Sequence, residues 1–191
     1  MTICMSEIIC VTNRHLCNDD FLKRIEKICK CRPSSIILRE KDLSEDDYTA
    51  LATEVMNICR RYDVPCTLHS FVNAAIKLKA DRIHLPLHIL RTLGSEDKRH
   101  FAVIGASCHS VEEAEEAISL GAGYITAGHI FDTDCKAGLP GRGLDFLRNV
   151  CEHSSVPVYA IGGISPGNID DVINAGADGV CIMSGFMTMN L

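Results

Sequence analysis

Eight short apolar runs, separated by longer amphipathic stretches, constrain the fold of this chain more than any other feature. The runs are Ile8–Val11, Ser35–Leu38, Cys66–Leu68, Arg82–Leu85, Val103–Ser107, Tyr124–Gly128, Val158–Ile161 and Val180–Met183. Short, β-branched runs are typical of strands buried on both faces of a parallel sheet. Alternating strands and helices form either an open doubly wound sheet or a closed barrel. The count of eight, with no Gly-x-Gly-x-x-Gly after the first run, favours a compact α/β fold, the (β/α)8 or TIM barrel.

The stretches between the runs carry helix signals, but the last one is too short. Ser44 is placed to cap one helix, and Ser165 followed by Pro166 predicts the start of another. After the eighth run only Ser184–Leu191 remains, which is less than a full closing helix needs. We therefore predict a single domain over residues 1–191 whose eighth helix is short or missing. The resulting apolar gap would favour association into homo-oligomers.

Composition excludes several classes of partner. The net charge is -6 and no basic block occurs, so nucleic acid is not an expected partner. No apolar run approaches the ~20 residues that span a membrane, and the first ten residues lack the pattern of a secretion signal. We therefore expect a cytoplasmic protein whose eleven cysteines are reduced thiols.

Two glycine-containing strand ends predict a phosphate site. In such barrels, function gathers at the carboxyl ends of the strands, and phosphate commonly binds between the loops after strands seven and eight. Gly162 and Gly163 follow the seventh run, while Ser184 and Gly185 follow the eighth. Each pair alone is also consistent with a tight turn. Because both occur in the two expected loops, phosphate binding through backbone N–H groups is the favoured interpretation.

Charged and titratable side chains follow other runs. Arg39 and Lys41 are two residues apart at the end of the second run, so both can face one anion, although a solvated charged segment explains them equally well. His129 follows the sixth run and is a candidate general acid or base, with a hydrogen-bonded structural histidine as the alternative. His84 is assigned to strand packing. Further candidate substrate-binding residues at these strand ends are His69, Ser107, Thr133, Cys135, Lys136 and Met183.

Several motifs resemble those of the thiamine phosphate synthase/TenI family, over about Val11 to Gly185. They are Leu38-Arg39-Glu40-Lys41, Ile104-Gly105-Ala106-Ser107-Cys108-His109-Ser110, Tyr159-Ala160-Ile161-Gly162-Gly163-Ile164 and Met183-Ser184-Gly185. The most specific stretch, GHIFDTDCKAGLPGRG at 128–143, is similar to that of the TenI-type thiazole tautomerases. Synthases usually place Pro after this glycine and carry a Thr-Lys-Thr-Lys-like run.

The resemblance also implies where a synthase would hold Mg²⁺ and diphosphate. Synthases use Asn-Asp-Arg after the third strand and an acidic residue after the fourth. This chain has His69-Ser70-Phe71 and Leu87-His88-Ile89 there, so no carboxylate remains at these positions for a hard cation.

The function that the resemblance implies is therefore that of a thiazole tautomerase, an isomerase that aromatises a carboxythiazole phosphate. His129 would be the base, Gly163 and Ser184 would hold the phosphate, and no metal or organic cofactor would be needed. Arg39, Lys41 and Lys136 would contact the carboxylate, or mark a vestigial diphosphate site. Two alternatives stay open: a thiamine phosphate synthase that joins thiazole phosphate to a pyrimidine diphosphate, and a non-catalytic protein that binds thiazole or thiamine phosphate.

Overall fold

A closed parallel barrel forms the centre of the molecule. The computed structural model describes residues 8–133, 136 and 138–188. Its strands pair in sequence order, and the first also pairs with the eighth, which closes the barrel. The strands are β1 (Ile8–Val11), β2 (Ser35–Leu38), β3 (Cys66–His69), β4 (Arg82–Pro86), β5 (Val103–Cys108), β6 (Tyr124–Gly128), β7 (Val158–Ile161) and β8 (Gly179–Ile182). The predicted (β/α)8 fold is confirmed.

Helices connect the strands on the outside of the barrel. They are α1 (Phe21–Lys30), α2 (Glu45–Arg61), α3 (Val72–Lys77), α4 (Leu87–Thr92), α5 (Ser95–Lys98), α6 (Val111–Ser119), α7 (Gly143–His153), α8 (Ile169–Asn174) and α9 (Ser184–Thr188). The Ser44 hydroxyl caps α2 as expected, accepting a hydrogen bond from the Asp47 amide. The segment after β8 contributes the five residues of α9, in keeping with a short eighth helix.

The predicted helix start at Ser165 and Pro166 is wrong. Helix α8 begins at Ile169 because Asn168 organises a turn before it. The Asn168 side-chain oxygen accepts a hydrogen bond from the Ser165 amide at 2.9 Å, and its amide nitrogen donates to the Gly163 carbonyl at 2.9 Å. This turn ties the end of β7 to the helix that follows.

Tyr48 connects α2 to the strand ends that carry the site. Its ring is fully buried and stacks on Phe71, with 4.1 Å between ring centroids. The Tyr48 hydroxyl donates to the Leu38 carbonyl at 2.7 Å and accepts from the His69 amide at 2.8 Å. Because both backbone groups are buried, this hydroxyl fixes the ends of β2 and β3 relative to each other.

Cysteine pairing and helix length can both be read from the described residues. Each of the nine cysteines in the described part of the chain is a free thiol. Among the same residues, no helix is both long and apolar enough to cross a membrane.

Candidate functional site

A cavity of about 240 Å³ opens at the carboxyl ends of the barrel strands. Ten of the predicted site residues line it: Arg39, Lys41, His69, Ser107, His129, Thr133, Lys136, Gly163, Met183 and Ser184. They come from six strand ends and the loops after them, so the barrel unites residues that are far apart in sequence. The remaining predicted residue, Cys135, lies outside the described residues. The individual roles assigned to these residues stay predictions.

Three cations line the cavity. Arg39 and Lys41 extend from the end of β2, and Lys136 comes from the loop after β6. No carboxylate among the described residues lies within ion-pair distance of any of the three. The pKa of Lys41 is lowered by partial loss of solvation and then by the charges of Arg39 and Lys136. This mutual repulsion favours a bound anion.

Glu40 lies between two of these cations in sequence but faces the other way. Its side chain is 2% exposed, and it accepts hydrogen bonds from the Thr12 hydroxyl at 2.6 Å and from the Arg14 backbone amide at 3.1 Å. The Arg14 guanidinium adds an ion pair at 3.1 Å. Since Glu40 is anchored to the end of β1, its neighbours Arg39 and Lys41 are turned towards the cavity.

Two glycines shape the wall at the ends of β7 and β8. Gly162 and Gly163 have φ of 101° and 65°, in the left-handed region that favours glycine. A Cβ on Gly163 would lie 2.6 Å from the Asp132 carbonyl oxygen. The loop after β6 can therefore pack against the end of β7 only if residue 163 has no side chain. Met183 and Ser184 from the end of β8 complete this wall. The wall presents backbone and one hydroxyl, which suits a phosphate group.

Buried histidines form the floor of the cavity. The rings of His69 and His84 stack, with 5.7 Å between their centroids. Both ring nitrogens of His84 are engaged: Nδ1 lies 3.0 Å from the Tyr124 hydroxyl, and Nε2 lies 2.8 Å from the Ser107 hydroxyl. Burial lowers the pKa of His84 to about 3, with a smaller contribution from Lys41. Burial also holds the pKa of His69 well below its usual range, with His84 next in importance.

The buried, uncharged His84 predicts that the free energy of unfolding falls in acid. Because His84 protonates more readily when unfolded, near pH 6.5, its contribution to stability is complete above that pH and is lost as the pH falls towards 3. Between pH 7 and pH 5 this one histidine should lower the free energy of unfolding by about 2 kcal/mol. Urea unfolding at both pH values measures the loss, and most carboxylates stay ionised over this range. His84→Gln should flatten the dependence, and an unchanged slope in the variant would contradict the prediction.

His129 and His109 lie nearer the opening. His129 Nε2 lies 3.2 Å from the Leu139 carbonyl, to which it can donate, and this contact ties the histidine to the loop after β6. His109 Nδ1 donates to the Gly128 carbonyl at 2.7 Å. Both side chains line the cavity, and among the residues that the structure describes these contacts orient them without a carboxylate partner.

Sequence reasoning missed His84 and Thr126 as lining residues. His84 was assigned to packing, yet its side chain faces the cavity. The missed signal is alternation within β4: Ile83 and Leu85 are fully buried, whereas Arg82 and His84 occupy the alternate positions. In a barrel strand, that alternation separates the residues facing the helices from those facing the interior.

A hard divalent cation does not fit this lining. Mg²⁺ prefers carboxylate oxygens, and no Asp or Glu among the described residues lines the cavity. The positions expected to hold it carry His69 to Phe71 and Leu87 to Ile89. In the described portion of the chain, no group of three or more His, Cys, Asp or Glu residues is arranged to hold a metal ion.

Comparisons with known proteins identify relatives over nearly the whole chain. The family model "Thiamine monophosphate synthase" matches residues 8–186. A thiamine-phosphate synthase from Clostridium acetobutylicum is 34% identical over 93% of this chain and 85% of its own length. One from Fusobacterium nucleatum is 35% identical over 95% and 89%. The structure of a thiamine phosphate pyrophosphorylase from Pyrococcus furiosus superposes with a TM-score of 0.83 at 27% identity, covering 97% of this chain and 89% of that one.

These relatives correct the functional prediction. The tautomerase assignment is wrong, because the proteins that this chain matches at 31–35% identity are named synthases and the superposing structure is a pyrophosphorylase. The resemblance to the family itself is confirmed across eight strands and the loops between them. This chain belongs to the thiamine monophosphate synthase family.

Proposed function

We propose that the protein is a transferase that joins a thiazole phosphate to a pyrimidine diphosphate, forming thiamine phosphate and releasing diphosphate. The proposal is supported by the names of the relatives and by one feature of the cavity. That feature is the presence of two anion-compatible groups in one lining: three cations, and two glycines with Ser184. Two phosphorylated substrates need two such sites.

The proposed transfer requires neutralisation of the negative charge on the departing diphosphate. The bond between the pyrimidine's exocyclic carbon and the diphosphate oxygen breaks, and the oxygen keeps the electron pair. The thiazole ring nitrogen supplies the pair for the new carbon–nitrogen bond, so no proton leaves that nitrogen. Negative charge therefore accumulates on the departing diphosphate, where nearby cations stabilise it most.

The two groups of lining residues would divide these tasks. Arg39, Lys41 and Lys136 would receive the diphosphate, because their charges meet the group on which negative charge develops. Gly163 and Ser184 would hold the thiazole phosphate through backbone and hydroxyl donors. The stacked, uncharged rings of His69 and His84 would lie beneath the heterocycles.

The direct test is turnover of the two substrates. Purified protein is incubated with thiazole phosphate and pyrimidine diphosphate, and both thiamine phosphate and released diphosphate are measured. Equal amounts of the two products are expected. Titration calorimetry with each substrate alone should give one site per chain. If neither product forms while both substrates bind, the transferase proposal is overturned.

A non-catalytic binding protein is the second candidate. The observation that favours it is the lack of carboxylates among the described lining residues, since the resemblance places Mg²⁺ ligands there in synthases. This candidate predicts tight binding of thiamine phosphate without turnover. The same two measurements decide between the candidates.

A further inference from the structure

We infer that this cavity binds diphosphate through its own side-chain cations, without a divalent metal ion. The identity of the anion rests on the proposed function, whereas the charge argument rests on the cavity itself. Such a cavity differs from a site in which a metal ion bridges protein carboxylates and diphosphate, because here side-chain cations alone bind the anion.

The cations are placed for this task. Arg39, Lys41 and Lys136 line the same cavity, and none has an ion-pair partner among the described carboxylates. Arg39 is half-buried, while Lys41 and Lys136 are exposed to the solvent-filled opening. Three positive charges without a counter-charge match most of the negative charge of one diphosphate.

The acidic groups near this end of the barrel are engaged elsewhere. Glu40 is buried against Thr12 and Arg14. The Asp42 carboxylate binds Arg14 and His15 outside the cavity lining. Asp132 accepts a hydrogen bond from the Gly141 amide at 2.7 Å, which fixes the loop after β6. A metal ion that used one of these three carboxylates would have to share or displace the contacts named above.

The floor is equally unsuited to a hard cation. Each ring nitrogen of His84 has a hydroxyl partner, and His69 Nδ1 lies 2.7 Å from the Ser70 hydroxyl. These nitrogens and hydroxyls are poor ligands for Mg²⁺ in comparison with carboxylates. Magnesium bound to diphosphate in solution also reduces the charge that the three cations attract. Added Mg²⁺ should therefore leave the affinity unchanged or weaken it.

The experiment is calorimetric titration of the full chain with inorganic diphosphate, once with excess EDTA and once with excess MgCl₂. Binding in EDTA is expected, with a dissociation constant that does not fall when Mg²⁺ is present. Arg39→Gln and Lys41→Gln should each weaken binding in EDTA by about tenfold, as expected for a lost charge-assisted contact. Lys30→Gln is the matched control, because Lys30 ends α1 and does not line the cavity.

Three results would overturn the inference: no binding in EDTA, a tenfold or greater gain in affinity with Mg²⁺, or equal affinity in all the variants. Its failure is distinguishable from that of the proposed function. Turnover together with no diphosphate binding in EDTA would keep the transferase and reject metal-free binding. Diphosphate binding in EDTA without any turnover would do the reverse.

Discussion

Lys41→Gln should lower the rate of thiamine phosphate formation by about a hundredfold, because the proposed transfer depends on cations that stabilise the departing group. Lys41 lines the cavity beside Arg39 and Lys136, and the substitution removes one of the three charges placed to stabilise the departing diphosphate. Because charge on that group grows as the carbon–oxygen bond breaks, the loss should appear mainly in kcat. Steady-state measurement of released diphosphate gives kcat and KM separately.

Lys41→Arg is the matched variant for this prediction. It keeps the positive charge at the same strand end, so its rate should stay within about tenfold of wild type. Urea unfolding of both variants checks that the fold is intact, which is expected since Lys41 is exposed. Equal loss in the glutamine and arginine variants would mean that charge is not what Lys41 contributes.

His129→Gln should have a much smaller effect than Lys41→Gln. The proposed transfer takes no proton from the thiazole nitrogen, so an imidazole on the cavity wall is not required as a base. We expect a rate within about tenfold of wild type, since a general acid or base typically contributes ~10²–10⁴-fold. Measuring the rate as a function of pH for both proteins tests this. A thousandfold loss in the variant would place a proton transfer at His129.

The strands were predictable from sequence because parallel barrel strands are buried on both faces. Runs such as Ile8–Val11 and Val158–Ile161 coincide with the strands, because their apolar, β-branched residues fit the narrow space between the helices and the barrel interior. The start of α8 was not predictable from Ser165 and Pro166. There the side chain of Asn168 forms a turn with its neighbours that competes with a helix.

The site was largely predictable for a topological reason. All carboxyl strand ends of a parallel barrel meet at one face, so polar residues after different strands converge without any knowledge of their contacts. Arg39 and Lys136 illustrate this, because they share a cavity although 97 positions separate them. The direction of Glu40 was not predictable, since it depends on its contact with Arg14 near the end of β1.

The reaction was not predictable from the stretch 128–143 and the missing Mg²⁺ ligands. The stretch 128–143 supplies Gly128, His129, Thr133 and Lys136 to the lining, but most of the lining residues come from other strand ends. Similarity to another protein in one stretch concerns only the part of the cavity lining that this stretch supplies. The comparison over more than nine-tenths of the chain includes every strand end that lines the cavity. It identifies relatives named synthases.

Glu40→Ala should destabilise the fold by about 1–3 kcal/mol, the usual cost of leaving buried polar groups without their hydrogen-bond partner. The Glu40 carboxylate accepts hydrogen bonds from the Thr12 hydroxyl and the Arg14 amide, and it pairs with the Arg14 guanidinium. The substitution leaves the buried Thr12 hydroxyl and the Arg14 amide without this acceptor. Urea unfolding at pH 7 measures the difference.

Asp42→Asn is the control for Glu40→Ala because Asp42 also pairs with Arg14 but is exposed to solvent. Its stability should remain close to that of wild type, since water screens an exposed pair. If both variants lose the same stability, the Arg14 charge rather than the buried carboxylate holds the strand ends. If only Glu40→Ala is affected, diphosphate binding by that variant, measured under folding conditions, should weaken too. The carboxylate that anchors β2 to β1 is also the one that turns Arg39 and Lys41 towards the cavity.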